Sequence, residues 1–145
     1  MTVDEDQALA ETLRDIYVSF EREGEGAIGR LARLYDRDVV FDDPLQTLRG
    51  REEFLAMNRR ILRRARRLSF DVSDVASGGG AIFLAWKMLY QPRVGPTLMF
   101  VGATRARTRA GLIVEQRDYW DLLSSVAQSL PLVGRIYAAL TPHLG

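Results

Sequence analysis

The sequence predicts an α+β fold, with helices in the first half of the chain and a meander of strands in the second. Apolar side chains recur at helical spacing over roughly the first 67 residues. Long alternating segments joined by short Gly- and Pro-containing turns follow. Because 145 residues correspond to about one domain, we expect residues 1–145 to form a single unit. Three N-terminal helices should pack on a strongly curved antiparallel sheet and enclose a cone-shaped cavity, as in a cystatin-like α+β barrel.

The three helices are marked by apolar spacing and by charged residues at their ends. Residues 5–22 carry an apolar side chain every three or four positions and open with acidic residues. Glycines at 24 and 26 end that helix, and a short second helix follows over residues 28–35. The third helix covers roughly residues 51–67. Its acidic first turn and Arg-rich last turns both suit the helix dipole.

Five segments are predicted to be strands. Val39–Phe41 is short, β-branched and aromatic, and Asp42-Asp43-Pro44 should stop it because proline cannot donate to a central ladder. The other four are long and separated by turns: Leu68–Ala76, Ala81–Gln91, Thr97–Arg107 and Leu112–Asp121. Residues 122–140, interrupted at Pro131, are predicted to form a short helical tail.

Composition excludes several classes of chemistry. The chain has no cysteine, which rules out a disulfide scaffold, a thiolate metal site and a cysteine nucleophile. His143 is the only histidine, so a His-rich metal site and a Ser–His triad are both disfavoured. We therefore expect no metal and no cofactor.

Charge and hydropathy bear on partners and location. Twenty basic and nineteen acidic residues leave a net charge of +1, so no global field attracts nucleic acid or an acidic membrane. The arginines between 59 and 67 are interpreted as a solvated helix face, since no aromatic platform is interleaved with them. The acidic N-terminus is unlike a signal peptide, and no apolar run reaches the roughly 18 residues of a membrane span. We expect a cytoplasmic protein with no nucleic-acid or membrane partner.

Asp43 is the first candidate for chemistry. Alternation along a strand places Phe41 and Asp43 on one face and Asp42 on the other. A carboxylate at a strand end beside an apolar wall can act as an acid or a base. Asp is equally a favoured turn residue, so capping of the turn before Pro44 is the alternative.

Asp118 is the second candidate. It shares a strand face with Trp120, downstream of Val114 and Gln116. A charged group among aromatic side chains is costly unless it is paired or used. The alternative is a structural Asp bonded to a helix side chain or to an Arg.

Alternate residues of the long strand form an aromatic stripe. Trp86, Met88 and Tyr90 share one face, and Phe100 can join them from the next strand. Such a stripe is either ordinary core or the wall of a pocket. Lys87 has the opposite parity and should lie on the outer face.

Several motifs resemble the nuclear transport factor 2-like superfamily, specifically its SnoaL-like bacterial branch. They are Leu34-Tyr35 with the segment from Asp38 to Pro44, then Leu48-Arg49-Gly50-Arg51, Arg117–Leu122 and Leu130–Gly134. The resemblance covers nearly the whole chain and implies the α+β fold above. Because this superfamily holds isomerases, epoxide hydrolases, cyclases, dehydratases and proteins without chemistry, it implies no single activity.

Comparison with ketosteroid isomerases implies one set of roles. Asp43 falls on their proton-shuttling aspartate and Tyr17 near the tyrosine of their oxyanion hole. Their second oxyanion donor, a protonated aspartate, meets Gly102 or Ala103, so that donor is missing here.

Two other enzyme templates point to Asp118. It matches an aspartate of limonene-epoxide hydrolases and the late-strand base of polyketide cyclases. The Arg and Asp that the hydrolases place on the long strand meet approximately Trp86 and Met88, and their water-positioning Tyr and Asn meet Phe41 and Asp43. The histidine that often accompanies the cyclase aspartate has no counterpart.

These observations predict a protein that binds a small, mostly apolar molecule and is either a proton-transfer enzyme or a non-catalytic module with a filled cone. The expected catalytic groups are Asp43, Asp118 and Tyr17. A collapsed core with Asp118 held by an Arg would favour the module. The expected pocket residues are Phe20, Phe41, Trp86, Met88, Tyr90, Phe100 and Trp120.

The outer sheet face predicts a homodimer. It is expected to carry many apolar side chains, which a solvated face does not favour. The apolar stripe of Leu130–Leu144 offers an alternative, because the tail can fold over that face and leave a monomer. The expected outer residues are Leu89, Leu84 or Phe83, Met99, Val101 and Tyr119.

Overall fold

The computed structural model describes residues 3–121 and residue 123. The predicted tail and His143 lie outside these residues. The described part contains three helices, α1 (Val3–Glu23), α2 (Glu25–Ala32) and α3 (Arg51–Arg64). It also contains six strands, β1 (Tyr35–Asp43), β2 (Gln46–Arg49), β3 (Ala65–Gly78), β4 (Ala81–Pro92), β5 (Leu98–Arg109) and β6 (Leu112–Trp120).

The α+β class is confirmed, with the six strands in one sheet in the order β2-β1-β6-β5-β4-β3. Four of the five neighbouring pairs are antiparallel as expected. The exception is β1 with β6, which run parallel. The reason is topological: α3 carries the chain from β2 to the far edge of the sheet, and the three reversals from β3 to β6 bring it back in the direction of β1.

Several boundaries differ from the sequence prediction. Helix α2 ends at Ala32 rather than at Tyr35, because Tyr35 already pairs with β6 as the first residue of β1. Strand β1 does not stop at Phe41 but continues through Asp43, because β2, which the sequence did not reveal, pairs with it. Pro44 sits in the turn between the two strands, where its missing N–H costs no ladder bond. Helix α3 ends at Arg64, since Ala65 is already extended and the next residues pair with β4.

The core lies between the helices and the concave face of the sheet. Helix α1 packs on β3 and β4, and its buried stripe includes Leu13, Ile16 and Phe20. Strand alternation divides β4 as predicted, with Trp86 buried and Lys87 exposed. No helix within the described residues is long and apolar enough to cross a membrane.

The outer face of the sheet carries exposed apolar side chains. Of the two alternative outer residues predicted on β4, Phe83 points outward and is 43% exposed, whereas Leu84 is buried in the core. Its other exposed apolar residues are Met99, Val101 and Tyr119.

Candidate functional site

A cavity of about 400 Å³ lies between the helices and the concave face of the sheet. Its wall is mostly apolar and aromatic, contributed by α1, α3 and every strand of the sheet. The catalytic roles of the residues chosen from the sequence stay predictions, but their positions are now defined. All ten line this one cavity: Tyr17, Phe20, Phe41, Asp43, Trp86, Met88, Tyr90, Phe100, Asp118 and Trp120.

Phe70 is the central wall residue that the sequence analysis missed. Its ring centroid lies 5.0 Å from that of Tyr17 and 5.9 Å from those of Phe20 and Trp86. The pairing of β3 with β4 could have indicated this role, because Phe70 pairs with Met88 of the predicted stripe and therefore shares its face. A second aromatic pair, Phe100 and Trp120, packs edge to face at 5.1 Å.

The polar part of the cavity is organised around Asp118. Its Oδ1 accepts hydrogen bonds from the Thr104 hydroxyl at 2.7 Å and from the Gln116 amide at 3.0 Å. Thr104 itself accepts from the Trp86 indole at 2.9 Å. Both partners of Asp118 are neutral, and no described Arg or Lys forms an ion pair with it. The carboxyl is therefore held in place without a compensating positive charge.

This environment raises the pKa of Asp118 to about 7. Burial is the largest cause, because it penalises the charged form. The hydrogen bonds from Thr104 and Gln116 oppose the shift, and the nearby charge of Asp43 adds to it. A carboxyl with such a pKa exists in both protonation states near neutral pH, as acid–base chemistry requires.

Tyr17 is linked to Asp118 through Gln116. The Gln116 amide donates to the Tyr17 hydroxyl oxygen at 3.1 Å as well as to Asp118, and its carbonyl accepts from the Tyr35 hydroxyl. Burial, followed by the charge of Asp118, raises the pKa of Tyr17. Its phenol thus stays protonated at neutral pH and keeps its proton to donate. Gln116 and Thr104, both fully buried, are the polar contributors that residue type alone did not single out.

Asp43 caps the turn, as one of its two interpretations predicts, and its acid–base role stays a prediction. Its Oδ1 caps the turn by accepting from the backbone N–H groups of Leu45 at 2.8 Å and Gln46 at 3.0 Å. The same side chain lines the cavity. Because Asp42 pairs with Arg117, Asp43 occupies the next position beside Asp118 on the neighbouring parallel strand, about 4.8 Å away between backbones.

Gly102 explains how Trp86 reaches into the site. The two residues are paired across β4 and β5. A Cβ on Gly102 would lie 2.6 Å from the Tyr119 carbonyl oxygen and 2.7 Å from the Trp86 ring. The indole therefore occupies the space that a side chain at 102 would need. The alternative position, Ala103, is exposed, so neither position offers the second oxyanion donor of the isomerase template.

Gly102→Ala is expected to destabilise the fold by about 1–3 kcal/mol, the usual cost of overpacking. The new methyl group would collide with backbone as well as with the indole, and the backbone cannot move aside cheaply. Gly29→Ala is the matched control, because Gly29 is exposed in α2 with no atom near its added Cβ. The control should gain about 0.5–1 kcal/mol. Urea denaturation measures both, and equal stabilities of the two variants would contradict the packing argument.

The helices on a curved six-stranded sheet, with a cavity that reaches a partly buried aspartate, define the nuclear transport factor 2-like class of fold. Within that class the chain belongs to the SnoaL-like domain family, whose model matches residues 17–116. The resemblance inferred from the sequence is therefore confirmed. Comparison with curated proteins gives no match.

Solved structures agree on the fold. An epoxide hydrolase described as LEH-like, from M. tuberculosis, has a TM-score of 0.71 and 15% identity, covering 94% of this chain and 98% of its own. A protein with a ketosteroid isomerase-like fold from Catenulispora acidiphila, in complex with trimethylamine, has a TM-score of 0.69 and 20% identity, with coverages of 81% and 91%. A protein from Jannaschia described as a SnoaL-like polyketide cyclase has a TM-score of 0.67 and 17% identity, with coverages of 83% and 93%. At these identities the likeness shows the fold alone.

Proposed function

We propose that this protein binds a small, mostly apolar molecule in the cavity and that Asp118 transfers a proton to or from it. The observation that carries the proposal is a carboxyl without an ion-pair partner among the described residues, set in an aromatic cavity of about 400 Å³. Such a cavity is large enough for a small-molecule site. Its walls supply burial, and the carboxyl supplies the reactive group.

The proposed chemistry is removal of a proton from a carbon next to a carbonyl group, as in an isomerase or a cyclase. Thr104 and Gln116 occupy Oδ1 of Asp118, which leaves Oδ2 to take the proton. The Tyr17 hydroxyl would donate a hydrogen bond to the carbonyl oxygen of the substrate as that oxygen gains negative charge. In this proposal the chain's own groups carry the proton, and no cofactor or metal takes part.

Asp43 has a secondary role in this scheme. Its Oδ1 accepts from two backbone N–H groups and its Oδ2 from the Gln46 amide at 3.4 Å, so Asp118, with only Oδ1 engaged, is the better base. Asp43 acts through its charge, which favours the protonated form of its neighbour. This division assigns unequal roles to two carboxyls in unequal surroundings.

Two other functions receive less support. A non-catalytic module with a filled cone would need a collapsed core and an Arg on Asp118, whereas the cavity is open and the partners of Asp118 are Thr104 and Gln116. Epoxide hydrolysis would need polar groups where Trp86, Met88 and Phe41 stand in the wall. We therefore favour proton transfer over both.

Native mass spectrometry with the apolar ketone 2-tetralone tests the binding step. We expect a one-to-one complex with the wild-type protein, and freshly purified protein can also reveal a co-purified molecule. Met88→Trp should abolish the complex by filling the cavity, whereas Lys87→Trp, on the outer face, should preserve it. Absence of a complex with the folded wild type, or equal binding by the two variants, would contradict the proposal.

We also propose that the protein is a cytoplasmic homodimer that associates through the outer sheet face. Val101 is 58% exposed and Tyr119 46%, and both belong to the apolar patch described above. Pairing two such faces would bury the patch symmetrically. Light scattering at micromolar concentration should give twice 16.4 kDa, and Val101→Asp should give a monomer. A wild-type mass of 16.4 kDa would instead mean that the dimer is wrong and would favour coverage by the tail.

A further inference from the structure

Two arginines stand at the opposite end of the cavity from Asp118. Arg60 and Arg64 lie one turn apart on α3, so they project from the same side of the helix. Both line the cavity, and both are exposed to solvent. Among the described residues, neither forms an ion pair, in contrast to Arg59 and Arg67, which pair with Glu25 and Glu21.

The order of residues along α3 defines the axis of the cavity. Phe54 is buried and stacks on Tyr35, which belongs to the hydrogen-bonded cluster around Gln116. Burial then falls along the helix, from Met57 through the partly buried Ile61 to the exposed Arg64. Ten residues at about 1.5 Å per residue put Arg64 roughly 15 Å from Phe54.

Along strand β5, too, the exposure of the lining residues increases away from Asp118. Thr104, which bonds Asp118, is buried, and Phe100 and Leu98 follow it along the cavity wall with greater exposure. The cavity therefore runs from an acidic end, across an aromatic wall, to a basic rim. Among the described residues that line it, Asp43 and Asp118 are the only acidic side chains and Arg60 and Arg64 the only basic ones.

We infer that the ligand is an amphipathic carboxylic acid, with its apolar body in the cavity and its carboxylate held at the rim by Arg60 and Arg64. This inference rests on the proposed function and adds the substrate class. Arg binds carboxylates through strong charge-assisted hydrogen bonds. Two arginines at an apolar mouth, with no carboxylate partner in the described part of the chain, match such an anion, and the acidic end repels it. The ligand is thereby oriented with its other end toward Asp118.

Decanoate and decan-1-ol are the probes, because they share an apolar chain and differ in the charged head. Both tryptophans of the chain, Trp86 and Trp120, line the cavity, so intrinsic fluorescence reports its occupancy. The measured quantity is the ratio of the two affinities at pH 7.5. In Arg60→Gln/Arg64→Gln we expect the preference for decanoate to fall about tenfold, with decanol binding unchanged.

Arg63→Gln/Arg66→Gln is the matched control. It removes the same charge from neighbouring exposed arginines that do not line the cavity, so its preference should equal that of the wild type. An unaltered ratio in the first variant, or an equal fall in the control, would overturn the inference while leaving the proposed function intact. Binding of neither probe by the wild type would contradict both.

Discussion

Asp118→Asn is expected to slow proton exchange at the activated carbon of 2-tetralone by about 10²- to 10⁴-fold, the usual contribution of a positioned general base. The wild-type protein should accelerate deuterium incorporation at that carbon in D₂O above the rate in buffer. Because only the ionised carboxyl accepts a proton, kcat/KM should rise with pH and level off above about 7. Proton NMR follows the exchange directly, because the signal of the protons on that carbon disappears.

Asp42→Asn is the control for this exchange reaction. Asp42 precedes Asp43 on the same strand but points away from the cavity and accepts a hydrogen bond from Thr47 at 2.5 Å. Its substitution should leave the exchange rate within about twofold of the wild type. A wild-type rate equal to that of buffer, or equal losses in the two variants, would exclude Asp118 as the base.

Asp118→Asn should also make the protein more stable at alkaline pH. The pKa of Asp118 is about 7 in the folded chain against 3.8 for the ordinary group. As pH rises between these values, the unfolded chain releases a proton that the folded chain retains, so wild-type stability falls. The full decrease in the free energy of unfolding is about 4 kcal/mol. Asn keeps an acceptor for Thr104 and Gln116 but cannot ionise, so the variant escapes this loss.

Urea denaturation at several pH values measures the difference between the two proteins. We expect similar free energies of unfolding near pH 3.5, where the carboxyl is mostly protonated in both states. The advantage of the variant should grow up to about pH 7 and remain constant at pH 8. An advantage that is independent of pH would show that the substitution acts through packing rather than through ionisation.

Much of the cavity wall could be predicted from the sequence because strand alternation is obligatory. Side chains two positions apart must share a face, so Trp86, Met88 and Tyr90 had to stand together, and Asp118 had to stand with Trp120. The presence of the three helices could also be predicted from their apolar spacing. What alternation cannot supply is the depth of each residue in the cavity or its polar partners.

The missed features depend on contacts between distant parts of the chain. The bond from Thr104 to Asp118 joins β5 to β6 and depends on cross-strand register. The parallel pairing of β1 with β6 places Asp43 beside Asp118, although 75 positions separate them. The sequence places Arg60 and Arg64 on a solvated helix face. Both are exposed, and only the packing of α3 reveals that they also form the cavity rim.

The most direct test of the central claim is the pH titration of the Asp118 carboxyl carbon by ¹³C NMR, with Asp118→Asn identifying its resonance. We expect one aspartate carboxyl in the folded protein to titrate near pH 7, and its midpoint to move when 2-tetralone fills the cavity. That resonance should be absent from the variant. Titration of Asp118 near the ordinary value of 3.8, with no response to the ketone, would contradict the account.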